Sequence, residues 1–176
     1  PGPYPNHVTA QADMDLDRFA RTLEQEGVKV YRPKYNNFTM TYGMYNYCPR
    51  DRLLVVGDTV VDCTMQYPCR DQESLYMDFV LKNAKQVIQV PRSHWLSFDA
   101  ANVCRLGDTL LYLVSPSGTR AGADWLQQQF PDYTVEITET YSGIHIDSTF
   151  CPVNEGLVVV NKDRVSKNTL PECFKD

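Results

Sequence analysis

The sequence lacks any apolar run longer than about five residues, far short of the roughly 20 that a membrane-crossing helix needs. Neither a membrane nor an anchored state is expected. It also lacks an excess of positive charge: 17 Lys and Arg stand against 22 Asp and Glu, a net charge of -5. Phosphate recognition needs clustered cations, so nucleic acid is not expected as a partner. None of the six cysteines, at 48, 63, 69, 104, 151 and 173, forms a C-x-x-C pair. That spacing argues against zinc, and no metal or cofactor is expected. The cysteines fall in or beside strand-like segments and read as small buried thiols in a reducing compartment, the cytoplasm. No signal peptide is visible at Pro1-Gly2-Pro3, where a chain without an initiator Met is compatible with prior processing or trimming.

What is present is a folded chain of 176 residues, 43% hydrophobic and 22% charged, one domain of ordinary size. Asp51, Asp99 and Asp147 stand 48 residues apart. Each opens an apolar, strand-like segment that turns at a glycine, and a second such run follows every turn. The pairs are Leu53-Leu54-Val55-Val56 with Thr59-Val60-Val61, residues 100–107 with Thr109-Leu110-Leu111-Tyr112-Leu113, and residues 148–156 with Leu157-Val158-Val159-Val160. A period in this range signals repeated supersecondary units. Equivalent positions of such units lie near a common axis, so three carboxylates are expected to converge on one site, whose natural guest is a cation.

Helical signals separate the hairpins. Residues 13–26 place Leu16, Phe19, Ala20 and Leu23 at i, i+3, i+4 and i+7, with Asp13, Asp15 and Asp17 at the start and Gly27 as the stop. Residues 72–83 place Tyr76, Phe79, Val80 and Asn83 on one face behind Asp71. Residues 120–130 follow Thr119, turn Trp125 and Leu126 inward and end at Pro131. A short β-rich run follows each helix, at 28–31, 87–90 and 133–137. The unit is therefore strand, strand, helix, strand, written twice in full between 51 and 138. A helix and strand precede it and a hairpin follows, so both ends of the chain fall inside a repeat. Residues 1–10 and 161–176 read as loop or tail.

The third unit carries Gly143-Ile144-His145-Ile146-Asp147-Ser148-Thr149-Phe150. Read as a strand, it points His145 and Asp147 the same way. Histidine titrates nearest neutrality and is the natural proton shuttle, and a carboxylate beside it raises its pKa or binds a charged substrate. A histidine and an aspartate at a strand mouth can equally be satisfied by backbone groups. The two other periodic aspartates tip the reading toward function.

Phe98-Asp99-Ala100-Ala101 followed by Arg105-x-Gly107-Asp108, then His145-Ile146-Asp147-Ser148-Thr149-Phe150, then Asp163-Arg164, resembles the glycine (arginine) amidinotransferase family. Pro49-Arg50-Asp51 with Val55-Val56-Gly57, and Glu26-Gly27-Val28 with Arg32-Pro33, match it in order and spacing, so the resemblance spans residues 13–165. It implies an α/β fold: a partial α/β propeller, the pentein fold, of pseudo-symmetric ββαβ units. The whole chain, 1–176, would be a single partial domain of about three units. By resemblance Asp99 and His145 are catalytic, Asp51 and Asp147 hold the donor's guanidinium, and Arg164 holds the substrate α-carboxylate. The chemistry is coherent, since carboxylates bind the rim of a planar, five-donor guanidinium bidentately. Arg70 with Glu73 also matches a family position, although an (i, i+3) surface ion pair explains it as well.

Asn102 stands where the family commonly has a second acid, and Ile144 replaces a Met. The larger departure is the nucleophile, a cysteine about a hundred residues beyond the histidine in the family, whereas this chain stops at Asp176. Cys104 and Cys151 lie near Asp99 and Asp147 but match no such position. The resemblance thus implies amidino transfer from arginine to an amine acceptor such as glycine, through a cysteine supplied by a longer parent or a second chain that completes the propeller. Two rival readings are an inactive partial pentein that binds or assembles, and a hydrolase that uses water and yields citrulline.

Overall fold

The computed structural model describes residues 4–35 and 48–175; the expected loop at 1–3 lies outside them. The chain divides into two compact units, Pro1–Pro33 and Lys34–Asp176.

The first unit is helix α1, Asn6–Gln25. It begins seven residues earlier than the apolar spacing predicts, inside the segment expected to be loop. Its first turns are polar and carry no stripe for periodicity to detect, but Pro5 ends the extended chain and offers its carbonyl to Val8 and Thr9. The helix stops as expected at Gly27, whose φ of +79° suits the αL cap. The strand expected at 28–31 does not form. The Val28 N–H turns back to the Leu23 carbonyl at 3.0 Å, and no strand pairs with 28–31 among the described residues.

In the second unit the first helix or strand among the described residues is the helical turn α2, Pro49–Arg52, which runs into the hairpin β1, Leu53–Val56, and β2, Thr59–Asp62. A 3-10 turn at Glu73–Tyr76 and the short helix α3, Asp78–Leu81, lead to β3, Gln86–Gln89, parallel to β2. The single helix expected over 72–83 is broken at Met77, which is buried while Glu73 and Ser74 turn inward to polar partners. The pattern repeats with β4, Val103–Leu106, β5, Thr109–Leu113, α4, Arg120–Gln129, and β6, Thr134–Thr138. Here β4 and β5 are antiparallel, β5 and β6 parallel. Thr119 caps α4, its hydroxyl accepting the Gly122 N–H at 3.2 Å. A third hairpin, β7, Phe150–Asn154, and β8, Leu157–Val160, follows. The segment expected as a plain tail instead carries two 3-10 turns, Lys167–Thr169 and Glu172–Phe174; Glu136 of β6 accepts the Glu172 and Cys173 N–H groups and ties the second one down.

The central strands β2 and β5 are apolar on both faces because each face meets a different core. In β5, Leu110 and Tyr112 pack with Ala123 and Leu126 of α4, while Leu111 and Leu113 pack with Ile146 and Phe150 of the third hairpin. Val61 and Val60 of β2 divide likewise, the second meeting Met77. A strand buried on both sides reads as a continuous apolar run. Adjacent units are also tied by polar bridges: Arg105 of β4 donates to the Val55 carbonyl of β1 at 2.7 Å.

Candidate active site

Each hairpin is entered through a short helical turn, and every sequence-predicted residue except Arg164 sits on one of those turns or immediately before it. Asp51 lies inside α2, Asp99 immediately precedes the 3-10 turn Ala100–Asn102, and His145 immediately precedes the turn Ile146–Ser148, which contains Asp147. The three turns pack side by side in sequence order. The hairpin glycines Gly57, Gly107 and Gly156 follow their aspartates by six, eight and nine residues. The equal spacing of the aspartates therefore does not reflect equivalent backbone positions. Nor is 145–147 a strand: the Thr149 N–H closes the turn onto the Ile146 carbonyl at 2.8 Å, and the Ser148 hydroxyl donates to the His145 carbonyl at 2.8 Å.

His145 Nε2 lies 3.1 Å from Asp99 Oδ2, and both side chains are largely buried. Burial alone would lower the His145 pKa. The hydrogen bond and charge of Asp99, with the charges of Asp51 and Asp147, outweigh it and hold the pKa above its ordinary value. All three periodic aspartates thus reach one imidazole electrostatically. Asp147 is itself raised by burial and by Asp51, against the opposing pull of Arg50 and His145. Asp99 Oδ1 is buried and has no hydrogen-bond partner among the described residues. A buried carboxylate oxygen without a donor is uncommon, and this one belongs to the pair that His145 completes.

Arg164 is held by the third unit's own turn, Nη1 donating to the hydroxyls of Ser148 at 2.8 Å and Thr149 at 3.2 Å. Its guanidinium packs over Gly143, where a Cβ would lie 2.8 Å from Nη1. The φ of +106° there already favours glycine.

Three groups make contacts that the sequence reading did not assign. Arg70 and Glu73 are a buried pair rather than a surface one. Arg70 Nε and Nη2 donate to Glu73 at 2.6 and 2.9 Å, and Nη1 donates to Asp51 Oδ2 at 3.0 Å. Asp51 is therefore fixed from behind, a bond 19 residues long that no (i, i+3) rule anticipates. Arg50, beside Asp51, approaches Asp147 Oδ2 at 3.9 Å and donates to the Val103 carbonyl, so it reaches all three turns' surroundings. Asn102 is fully buried in a hydrogen-bond network.

Of the six cysteines only Cys63 and Cys104 are buried outright, fewer than expected. Burial pushes the Cys104 thiol up to about 11, raises Cys63 further, and with Glu136 pushes Cys173 up to about 12. Among the described residues no group of His, Cys, Asp or Glu is arranged to hold a metal ion, and no helix is long and apolar enough to cross a membrane.

Comparison with known proteins places these residues in context. No family model matches the chain. It is 36% identical, over 99% of its own length, to inosamine-phosphate amidinotransferase 1 of Streptomyces griseus. It is 30% identical over 98% of its length to the L-arginine:L-lysine amidinotransferase of Pseudomonas savastanoi pv. phaseolicola. Identity to the mitochondrial glycine amidinotransferase of Xenopus tropicalis is 27% over 92% of the chain and 49% of that protein. The solved structure of the S. griseus protein superposes with a TM-score of 0.88 at 32% identity, covering 97% of this chain and 59% of that one. The chain spans about 60% of the length of the first two relatives.

Proposed function

The chain belongs to the amidinotransferase family and has its α/β propeller fold in part; from that premise we propose that it carries the acid–base and guanidinium-binding half of an amidinotransferase site. The observation that carries the reading is the buried Asp99–His145 pair with Asp51 and Asp147 in electrostatic reach. Three carboxylates around one imidazole suit a cationic, planar donor such as arginine. Its guanidinium N–H groups would meet Asp51, Asp147 and the unpaired Asp99 Oδ1, and Arg164 would take the α-carboxylate.

In the reaction so assigned, a cysteine thiolate adds to the guanidino carbon of arginine. The bond to the side-chain nitrogen breaks, protonated His145 gives that nitrogen its proton, and ornithine departs. The acceptor amine, glycine for example, then attacks the amidino carbon and His145 takes the amine's proton, and the thiolate is released. A histidine pKa held up by carboxylates suits the first, acid step. The thiol is assigned to polypeptide outside these 176 residues, either a longer parent or a second chain that completes the propeller. A nucleophilic thiol needs a lowered pKa, whereas Cys63, Cys104 and Cys173 are all raised. The free thiols of Cys63, Cys69, Cys104, Cys151 and Cys173 suit a reducing compartment such as the cytoplasm.

The test is ornithine release from arginine and an amine acceptor. The expected result is none from the 176-residue chain alone, and turnover once polypeptide bearing the cysteine is present. In that completed protein Asp99→Asn and His145→Asn each abolish turnover by at least about 100-fold, the scale of a lost general acid–base. Ornithine from the chain alone would place the nucleophile among its own cysteines. Silence from the completed protein would leave an assembly role in front, and citrulline in place of acceptor transfer would make it a hydrolase.

A further inference from the structure

The imidazole of His145 is held by more than Asp99. The carbonyl of Ile144, one peptide before it, lies within hydrogen-bond distance of three side-chain donors: Ser115 Oγ at 2.7 Å, Ser117 Oγ at 2.8 Å and Asn102 Nδ2 at 3.0 Å. Between them these groups carry four protons, enough to fill both lone pairs of that oxygen and still serve the Leu113 carbonyl, which Asn102 Nδ2 reaches at 2.9 Å. The Ser117 hydroxyl also lies 3.0 Å from Asn102 Oδ1, so the donors brace one another.

The same residues grip Asp99. Its backbone N–H donates to the Ser117 carbonyl at 2.9 Å, and the Asn102 N–H donates to the Asp99 carbonyl at 2.9 Å. Ser117 therefore touches both halves of the pair, through its carbonyl on one side and its hydroxyl on the other. Asn102 and Ser117 are buried, where a satisfied polar network is rigid and a broken one is costly. The cluster is also fitted to its space: a Cβ on Gly118 would stand 2.5 Å from Asn102 Nδ2.

We propose that Asn102, Ser115 and Ser117 are positioning residues that fix the Ile144–His145 peptide plane and so set the imidazole against Asp99. The inference rests on the proposed acid–base role of that pair, yet its measurement does not require turnover. With the turn Ile146–Ser148 holding the chain after His145, anchoring the peptide plane before it restricts the φ of His145, −125° here, and with it the start of the side chain. A ring freed by even one loose peptide loses a hydrogen bond that tolerates little angular error.

The experiment is a ring-resonance NMR titration of this chain, whose three histidines, His7, His94 and His145, are separated by one His145→Gln control. In the parent, His145 titrates above an ordinary histidine. In Ser115→Ala/Ser117→Ala and in Asn102→Ala its pKa falls toward the ordinary value, while His7 and His94 keep theirs. Gly118→Ala, which removes no hydrogen-bonding group, produces the same fall by displacing the Asn102 amide. In an Asp99→Asn background the serine pair produces no further fall, since the contact it protects is gone. Should the buried variants fail to fold, the single Ser115→Ala chain, altered at a half-buried position, carries the test. A His145 titration unchanged in the folded variants, with a raised parent, overturns the positioning role and leaves the network purely structural. A parent His145 that titrates at or below the ordinary histidine value overturns the Asp99–His145 pairing itself, and this inference with it.

Discussion

Replacing Glu73 by alanine isolates what supports Asp51. The Arg70 side chain is 6% exposed and that of Glu73 is not exposed at all. The substitution therefore takes the carboxylate away from Nε and Nη2 of a buried guanidinium and leaves Nη1 bonded to Asp51 at 3.0 Å. Breaking a buried ion pair from one side costs about 3–5 kcal/mol, and the surviving bond to Asp51 places this case at the lower end. For a urea dependence of about 2 kcal/mol per molar, a loss of about 3 kcal/mol lowers the unfolding midpoint by about 1.5 M. Against a total stability of about 5–15 kcal/mol the loss is easily read by tryptophan fluorescence. Arg70→Met/Glu73→Leu recovers part of it, because the buried pair is replaced by apolar volume while Asp51 loses its Arg70 donor. A single-variant loss below about 1 kcal/mol, the level of an exposed pair, would refute the reasoning and show that Arg70 reaches water.

Four other outcomes follow from the geometry. By calorimetry the chain binds arginine weakly, and Asp147→Asn or Arg164→Ala weakens that binding by about 1.5–3 kcal/mol, the scale of a charge-assisted bond; a folded chain with no arginine heat removes the guanidinium assignment. Arginine affinity falls as pH drops through the raised Asp147 pKa, because the cation selects the ionised carboxylate; proton release measured across buffers of different ionisation heat checks the sign. The raised His145 pKa stabilises the fold fully below about pH 6.5, its unfolded value, and that contribution is lost as pH rises through the folded value; the slope disappears in His145→Gln. Leu126→Ala, at the fully buried contact of α4 with β5, costs about 2–5 kcal/mol in chemical denaturation.

The strand–strand–helix–strand unit was legible because its signals are local. The glycine turns, the Thr119 cap and the apolar runs of β1, β2 and β5 need no partner to be recognised. The 28–31 segment failed for the complementary reason: Val28, Val30 and Tyr31 have strand propensity, but a strand exists only where another pairs with it. The polar first turns of α1 carried no stripe, and the 72–83 periodicity was overridden by the inward pull on Glu73 and Ser74. At the site the chemistry-bearing types were visible as Asp99, His145, Asp147 and Arg164, whereas their supports were not. Arg70 reaches Asp51 across 19 residues and Asn102 reaches Ile144 across 42. No pattern in one sequence marks such pairs, and Asn102 showed only as a departure from a family motif.

Because Asp51, Asp99 and the His145–Asp147 pair stand on the entry turns of three different hairpins, a guest that touches all of them acts as a clasp on the fold. Filling the site cannot be a local event. At 100 times its dissociation constant a ligand adds about 2.7 kcal/mol to the native state, and here that increment falls on the cohesion between units rather than on one loop. Arginine should therefore slow amide exchange in β1, β4 and β7 together, and an opening of any one hairpin should release it. Binding and integrity of the second unit become a single equilibrium, readable from either side.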